Sequence, residues 1–358
     1  MRSIFAAARW FPVLFPALLH AQQSTSYTVG SATASPGATA YGAIAVPAGA
    51  DSALSMPVAV IRGTRPGPVV AFVAGSHGTE YTSIIAMQRL IPRIDAKALA
   101  GTVVVAPLLN VASFLRMTPH VNPVDGKGMN AGFPGDASGT QSARALALVT
   151  EQIVAPADII VDLHGGDLDE DLRPYSYWYR GGRPAQDSAG LKLALAFGLD
   201  HIIVADADPA VGRSLSGQAL TRGKTVLVAE AGRSGVVTDA DVASLVDGSL
   251  NVLGQLTMLK RPLKPLAHPT WLAGAGQRVA ASEDGVFMAA VPRNTLVTQG
   301  QVVGHTTDLI GRSTGDIVAP IAGLVTFIRG VPSMAKGATL VNIAPVLAQP
   351  APWKLPGR

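Results

Sequence analysis

The spacing of apolar residues divides the chain into two regions of different predicted structure. From residue 57 onward, short β-branched runs alternate with longer segments that repeat apolar residues at helical spacing. The predicted strands are residues 57–61, 69–74, 103–107, 159–163, 202–205 and 225–229, and the predicted helices are residues 79–90, 142–154, 189–197 and 239–259. This alternation predicts an α/β fold: a mostly parallel sheet with helices on both faces.

Helical spacing disappears in the last quarter of the chain. Residues 260–269 hold three prolines and three basic residues and are expected to form a linker. Short strands separated by Gly-containing turns follow at residues 286–291, 296–297, 301–305, 316–318, 324–328 and 339–343. The pattern predicts a small all-β domain over residues 270–347, after a larger domain over residues 57–259.

The N-terminal residues 1–21 have the composition of a secretory signal peptide. Arg2 and Arg9 accompany an apolar stretch, and the small residue Ala21 stands at the expected cleavage position. The alternative is a buried or membrane-anchoring helix, but the stretch is too short to span a bilayer comfortably. We expect an exported protein, periplasmic or secreted, with no stable membrane insertion once the signal is removed.

Two further segments are expected to add little structure. Residues 22–56 are rich in Ser, Thr, Ala and Gly and predict a lead-in with one weak strand at residues 43–46 and little core of its own. The Pro-rich residues 348–358 predict a loose tail.

Composition narrows the chemistry that the chain can perform. The 358 residues include no Cys, which excludes disulfides, thiolate zinc sites, iron–sulfur clusters and cysteine nucleophiles, so that any metal must be bound by His, Asp or Glu. Without Arg2 and Arg9 the chain holds 26 basic and 24 acidic side chains, and no Lys/Arg run exceeds two residues. Nucleic-acid binding is therefore not expected.

Ionisable residues beside glycine follow three of the predicted strands. His77 and Glu80 follow the strand at residues 69–74, His164 follows the strand at residues 159–163, and Glu230 follows the strand at residues 225–229. Because ligands bind at the carboxyl ends of strands in open α/β sheets, these side chains are expected to meet in one crevice.

Two histidines and one carboxylate form the ligand set of catalytic zinc sites, which keep one position for water. His77 and Glu80 are three residues apart, on the same side of a first helical turn, and His164 would be the third ligand. Asp162 points to the same face of its strand as His164 and is expected to orient it. Glu230 is then the candidate for general base and acid.

Simpler interpretations exist for each of these residues. A His and a Glu three residues apart are often a solvated pair and a helix cap. Four other histidines that follow the predicted signal peptide lie in sequence settings less typical of metal ligands, and we expect surface or core roles for them. They are His120, His201, His268 and His305.

Five motifs together resemble the succinylglutamate desuccinylase and aspartoacylase family, which has a zinc carboxypeptidase-like fold. They are residues 67–81 (GPVVAFVAGSHGTEY), 107–110, 122–135 (NPVDGKGMNAGFPG), 162–167 (DLHGGD) and 228–235 (VAEAGRSG). The resemblance covers residues from about 41 to 345 in the right order. It includes the C-terminal β domain, where DIVAPIAGLV is similar to a biotinyl/lipoyl-like barrel-sandwich hybrid.

The resemblance implies a zinc-dependent hydrolase with one Zn²⁺ per chain and a small-molecule acyl substrate. Such an enzyme cleaves an amide, as in an N-acyl amino acid, or an ester. His77, Glu80 and His164 match the family's metal ligands, and Glu230 matches its catalytic acid/base.

One departure from the family pattern affects the expected substrate. Asn130 fits an Asn-Arg pair, but Ala131 replaces the Arg, whose guanidinium would bind a substrate carboxylate through two hydrogen bonds. Either Arg116, Arg173 or Arg180 binds the anion instead, or the substrate is not an acidic N-acyl amino acid. Arg173 and Arg180 can also be explained by cation–π packing on neighbouring Tyr and Trp rings.

Two other functions stay open at this point. One is a metallocarboxypeptidase acting on peptides, and the other is a catalytically silent ligand-binding relative, which the loss of Arg at Ala131 motivates. The β domain could be a lid, an oligomer contact or a substrate gate, and its residues do not indicate the oligomeric state.

Overall fold

The computed structural model describes residues 25–206, 212–274 and 276–348. The predicted signal peptide, and the predicted tail beyond residue 348, lie outside the described residues. Ten strands form the central sheet. In order across it they are β21 (Val346–Leu347), β12 (Thr270–Ala273), β10 (His201–Asp206), β9 (Tyr175–Arg180), β11 (Thr225–Glu230), β7 (Ile159–His164), β5 (Arg65–Ala74), β6 (Ala100–Ala106), β4 (Leu54–Arg62) and β3 (Ala38–Val46).

The central sheet is mixed, with parallel pairing at its centre. β11, β7, β5 and β6 run parallel to one another, and β10 is parallel to both β9 and β12. The antiparallel pairs are β9 with β11 and the edge pairs formed by β21, β4 and β3. All six predicted strands of this region are present, and the α/β prediction is confirmed.

Helices cover both faces of the sheet, as predicted. Within the described residues the α-helices are α1 (Tyr81–Leu90), α2 (Val111–Arg116), α3 (Gln141–Val149), α4 (Pro184–Phe197), α5 (Leu215–Thr221) and α6 (Asp239–Gln255). The predicted helix at residues 142–154 is α3 followed by a π-helical turn, Thr150–Val154, and α6 ends four residues before its predicted limit. None of the helices described is long and apolar enough to span a membrane.

Successive side chains of the central strands point to opposite faces of the sheet and pack into two separate cores. Val70 and Phe72 of β5 pack into the core beneath α1, α4 and α6, whereas Ala71 and Val73 pack into the core beneath α3 and α5. These side chains are fully buried on both faces. The carboxyl end of β5 is therefore held rigidly where its loop leaves the sheet.

The lead-in prediction for residues 22–56 was wrong about the core. The segment forms a hairpin of β1 (Tyr27–Val29) and β2 (Ala32–Ala34) and then the nine-residue edge strand β3. Val29, Ile44 and Val46 are buried in the same core as α3 and α5. Alternation of small apolar residues along β3 was sufficient to build an edge strand, because only one face of it needs to be covered.

The C-terminal region folds mainly into two antiparallel sheets, as predicted for an all-β region. We call residues 277–344 the β region. One sheet contains β13 (Gln277–Ala280), β20 (Thr339–Ala344), β18 (Gly323–Arg329) and β15 (Leu296–Val297), and the other contains β17 (Ser313–Val318), β16 (Val302–Thr307), β14 (Gly285–Ala289) and β19 (Ser333–Met334). Between the sheets lies a core of its own that includes Phe287 and Val325.

Three strands join the β region to the larger domain. β12 and β21 lie at the two ends of the predicted β domain but belong to the central sheet. The predicted domain limits of 270 and 347 therefore do not separate the central sheet from the β region. In the opposite direction, β8 (Glu170–Leu172) leaves the larger domain and pairs with β18. These pairings are non-local, and hydrophobic spacing does not reveal them.

Candidate metal centre and active site

Three side chains from two strand ends meet in one compact cluster. The ligand atoms of His77, Glu80 and His164 all lie within 4.8 Å of one another. Glu80 Oε1 is 2.6 Å from His77 Nδ1, and Glu80 Oε2 is 3.1 Å from His164 Nδ1. The two-nitrogen, one-oxygen donor set and its compactness fit a catalytic zinc ion.

The loop after β5 brings His77 and Glu80 together. Gly78 lies so close to the next loop that a Cβ there would be 2.4 Å from both Asn110 O and Phe114 N. This close approach folds the loop tightly and lets α1 begin directly after Glu80. The Glu80 carboxylate faces the two histidines and makes no capping hydrogen bond to α1, so the helix-cap interpretation is wrong.

His164 stands at the end of β7, between two carboxylates. Its Nδ1 faces Glu80, and its Nε2 lies 3.2 Å from Asp162 Oδ1. That second contact has the distance of an ion pair but lacks hydrogen-bond geometry. Asp162 is 2% exposed. It lies two residues before His164 on β7 and therefore on the same face of the strand.

The charges of the cluster are strongly coupled. Burial opposes ionisation of Glu80, but the charges of His164 and His77 outweigh it and lower the pKa of Glu80 to about 2. Burial disfavours the charged form of His164, yet Glu80 and Asp162 raise the pKa of His164 well above its usual range. The Glu80 carboxylate thus lies between two imidazoles, an arrangement of donor atoms that suits a bound dication.

Glu230 ends β11, the strand beside β7, in register with His164. Burial and the nearby charge of Glu80 raise the pKa of Glu230 to about 7. The Tyr175 hydroxyl on β9 donates a hydrogen bond to Glu230 Oε2 at 3.2 Å. A carboxylate that gains and loses a proton near neutral pH is suited to general acid/base chemistry.

These residues line a cavity of about 530 Å³. Its walls come from both regions of the chain, since Phe327 on β18 and Asn342 on β20 belong to the β region. The other lining residues are His77, Glu80, Asn130, Asp162, His164, Glu170, Leu172, Tyr175, Tyr177, Tyr179, Ser214, Ser216, Val228 and Glu230.

Asn130 is the predicted substrate-binding residue that does reach the cavity. Its Oδ1 is buried and has no hydrogen-bond partner, so the amide is available to a ligand. Beside it, the carbonyl oxygen of Ala131 accepts a hydrogen bond of 3.2 Å from Nε of Arg213. Arg213 is solvent-exposed and does not line the cavity.

The three arginines considered as anion ligands lie elsewhere. Arg116 is exposed at the end of α2. Arg173 pairs with Asp200 and donates to His201 Nδ1 at 3.2 Å. Arg180 pairs with Asp206 at 2.8 Å and covers the Trp178 ring, which confirms the packing interpretation for Arg180. The prediction that Arg116 or Arg173 contacts substrate is wrong for this structure, because neither guanidinium reaches the cavity.

A second group of ionisable residues adjoins the cavity. His120, Asp169 and Glu170 also have ligand atoms within 4.8 Å of one another. Asp169 is already occupied, because it contacts His120 Nε2 at 2.9 Å and accepts from Arg329 Nη1 at 2.8 Å. This group is therefore an ion-pair network rather than a metal site. The His120 ring is 6.1 Å from the His77 ring, so His120 lies beside the candidate active site. This position differs from the surface or core role expected for His120 from the sequence.

The sequence pattern also did not indicate the tyrosine ladder or Glu170. Tyr175, Tyr177 and Tyr179 alternate along β9 and present one face to the cavity. The signal for a strand is the tyrosine at every second position. The same rings can also be explained by packing around Arg173 and Arg180, so the repeat alone does not place them at the cavity. Glu170 is the middle one of three consecutive acidic residues, and the local sequence does not indicate which of them lines the cavity.

Residues 66–256 match the succinylglutamate desuccinylase/aspartoacylase catalytic domain, and the chain belongs to this family. A curated relative, the N-alpha-acetyl-L-2,4-diaminobutyric acid deacetylase of Halomonas elongata, is 27% identical over 307 residues, which cover 82% of this chain and 87% of the relative. A deacetylase among its relatives supports hydrolase activity of the deacylase type.

Solved structures show the same fold. A succinylglutamate desuccinylase/aspartoacylase from Rhodobacter sphaeroides has a TM-score of 0.78 at 24% identity, covering 87% of this chain and 96% of its own. The product-bound ectoine utilization protein EutE (DoeB) from Ruegeria pomeroyi has a TM-score of 0.78 at 22% identity, covering 86% and 95%. Both cover the β region as well as the α/β domain.

Proposed function

We propose that this protein is a zinc-dependent amidohydrolase that removes the acyl group from an N-acyl amino acid. The observation that carries the proposal is the convergence of His77, Glu80 and His164 within 4.8 Å, beside Glu230 in the same cavity. Family membership and the deacetylase relative support an amide as the bond that is cleaved. The loss of Arg at Ala131 leaves all four of these residues in place.

His77, Glu80 and His164 would hold the zinc ion. Bound there, zinc supplies a Lewis acid for the acyl carbonyl and lowers the pKa of water. Glu230 accepts the proton of the attacking water and delivers it to the leaving nitrogen. Tyr175 holds Glu230 Oε2 in position during both transfers. Asn130 offers a buried, unpartnered amide oxygen to polar groups of the substrate.

Substitution of the proton carrier tests the proposal. The purified protein is loaded with zinc and assayed for release of free amine from a panel of N-acyl amino acids, with short peptides as the competing substrate class. Glu230→Gln is expected to lower kcat by roughly 10²- to 10⁴-fold because the proton transfer is lost. Zinc content, measured by atomic absorption, is expected to stay at one per chain.

Three results would contradict the proposal. Wild-type rates in Glu230→Gln would remove that residue from proton transfer. Hydrolysis of peptides alone would favour the carboxypeptidase. Ligand binding without turnover in the zinc-loaded protein would favour the silent relative.

We further propose that the protein is exported. The support is residues 1–21 alone, with their two arginines, apolar stretch and Ala21. Expression with a C-terminal tag, followed by fractionation and N-terminal sequencing, is expected to give an extracytoplasmic protein that begins at residue 22. A cytoplasmic protein that retains Met1 would contradict this.

A further inference from the structure

We propose that Asp167 is a positioning residue of the candidate metal centre, because its carboxylate joins the two loops that carry the three candidate ligands. The proposal rests on the zinc site of the proposed function and adds a residue that holds this site together. His77 and Glu80 lie on the loop after β5, and His164 ends β7. Asp167 follows His164 by three residues, on the loop after β7.

The Thr79 hydroxyl forms the link between the two loops. Thr79 lies between the two candidate ligands of the loop after β5, and its hydroxyl donates a hydrogen bond to Asp167 Oδ1. Both residues are 0% exposed. On the other side of the same loop, the Gly78 N–H donates to Ser113 Oγ on α2 at 3.1 Å. The segment between the two ligands is therefore held at two consecutive residues.

Asp167 uses both of its carboxylate oxygens. Oδ1 also accepts from the backbone N–H of Leu168 at 2.7 Å, and Oδ2 accepts from the backbone N–H of His120 at 2.9 Å. A fully buried carboxylate is stable only when hydrogen bonds and a countercharge replace its water. In the described part of the chain no Lys or Arg pairs with Asp167, and the countercharge comes from the His120 ring, whose Nδ1 lies 3.3 Å from Oδ2.

His120 is itself held between two aspartates. Its other ring nitrogen, Nε2, is 2.9 Å from Asp169 Oδ1. The hydrogen bond with Asp169, and then the charge of Asp167, raise the pKa of His120 to about 9. Burial raises the pKa of the neighbouring Glu170 to about 8, so this carboxyl group is mainly uncharged at neutral pH and does not compete for His120. The two aspartates therefore keep a charged ring beside the loop after β5.

Metal ligands on separate loops must keep their spacing if the site is to bind tightly. A preorganised site requires its ligands to be held within about 0.5 Å, and the groups that hold them contribute about 10- to 100-fold to metal affinity. The hydrogen bond between Thr79 and Asp167 joins the loops through side chains that are not themselves ligands. Its loss is expected to loosen the site and leave every ligand in place.

The Thr79 hydroxyl can be removed with little change in shape. Thr79→Val is expected to weaken zinc binding about 10- to 100-fold, and Thr79→Ser, which keeps the hydroxyl, is expected to bind zinc as the wild-type protein does. Competition with a chromophoric chelator measures the affinity.

Thr102→Val is the matched control. Thr102 is equally buried, on β6, and its hydroxyl accepts from Arg62 Nη1 at 2.8 Å. This variant is expected to have a lower unfolding temperature and an unchanged zinc affinity.

Cobalt(II) in place of zinc reports the geometry of the site, because its visible absorption depends on the arrangement of its ligands. The spectrum of Thr79→Val is expected to differ from that of the wild-type protein, and the spectra of Thr79→Ser and Thr102→Val are expected to match it. A role in stability alone would leave all four spectra equal. Unchanged affinity and spectrum in Thr79→Val would overturn the proposal, as would an equal loss in Thr79→Ser.

Asp167→Asn completes a double-mutant cycle with Thr79→Val. The single variant is expected to lose zinc affinity about 10- to 100-fold. The double variant is expected to lose less than the product of the two single losses, because both changes weaken the same link. Losses that multiply fully would overturn the proposal. If Asp167→Asn does not fold, the variants of Thr79 decide the proposal by themselves.

The deacylase assay separates this proposal from the proposed function. Wild-type protein that binds zinc and hydrolyses no N-acyl amino acid removes the deacylase function. In that case a loss of zinc affinity in Thr79→Val and its recovery in Thr79→Ser still support the role of Asp167. Wild-type protein that binds neither zinc nor cobalt overturns both proposals.

Discussion

At the scale of single residues, the two ring nitrogens of His164 have different neighbours. Nδ1 faces Glu80 within the metal cluster, and Nε2 faces Asp162 at 3.2 Å. A histidine that binds metal through one nitrogen is commonly oriented by a carboxylate at the other. In the proposed zinc site, Asp162 would act on the metal indirectly, through the position of the imidazole.

Asp162→Asn is expected to weaken zinc binding about 10- to 100-fold, because the amide orients the imidazole less strongly than the carboxylate does. Competition with a chromophoric chelator measures the affinity. The thermal unfolding temperature of the metal-free variant serves as the control for folding. Unchanged zinc affinity in a folded variant would show that Asp162 does not support His164.

His77, Glu80 and His164 could be selected from the sequence because each lies within a few positions of a recognisable strand end. Glu170 could not be selected, since which of the three consecutive acidic residues faces the cavity depends on the pairing of β8 with β18. The partners of Asp169 and Asp171 are Arg329 and Arg293, more than 120 residues further along the chain. No local pattern carries that information.

At the scale of elements, the start of α3 depends on a residue outside the helix. Its N-cap, Thr140, makes no side-chain capping bond. Asp51, from the loop between β3 and β4, accepts from Gln141 N–H at 2.9 Å through Oδ2 and from Arg144 Nη2 at 2.7 Å through Oδ1. The carboxylate thus caps the positive end of α3 and attaches the N-terminal strands to it.

Asp51→Asn is expected to lower the unfolding temperature at pH 7. The hydrogen bond from Gln141 N–H, and then Arg144, lower the pKa of Asp51 below its ordinary value. The unfolded chain therefore takes up this proton first as the pH falls. The stabilisation is complete above roughly pH 4 to 5 and is lost as the pH falls through the lowered pKa.

Thermal unfolding of wild-type and Asp51→Asn protein from pH 7 to pH 3 measures this dependence. The two unfolding temperatures are expected to converge toward the acid end. A gap that is absent at pH 7, or that widens as the pH falls, would contradict the capping role.

Element prediction succeeded where the spacing was regular and failed where pairing was non-local. The six strands and four helices predicted for the α/β domain are present. β9 is not among the predicted strands, because its aromatic residues can also be explained by packing around Arg173 and Arg180, although its tyrosines occur at every second position. β8 has only three residues, and it exists because β18 pairs with it.

At the scale of the whole molecule, the β region forms part of the active-site cavity. Phe327 is 4% exposed, pairs across the sheet with Leu172 and lines the cavity. Phe287, 2% exposed, lies in the separate core of the β region and does not line the cavity. The two phenylalanines allow stability to be separated from substrate binding.

Phe327→Ala and Phe287→Ala are each expected to lower the free energy of unfolding by about 3 to 5 kcal/mol, the usual cost of a truncated buried Phe. Phe327→Ala is also expected to raise KM for the N-acyl amino acid, because one cavity wall is removed. Denaturant titration and steady-state kinetics measure the two effects. An equal rise of KM in Phe287→Ala would mean that the β region influences the site only through its overall stability.

The attachment of the β region restricts how it can move. It leaves the central sheet at β12, returns to it at β21, and is paired through β18 to β8 on the other side of the cavity. A body fixed at one point can turn in any direction, and a body fixed at two can still swing about the line between them. A third fixed point off that line removes the swing. The β region is therefore joined to the α/β domain at three places, and the same strand pairings that join them also fix the distance between the two walls of the cavity in this structure.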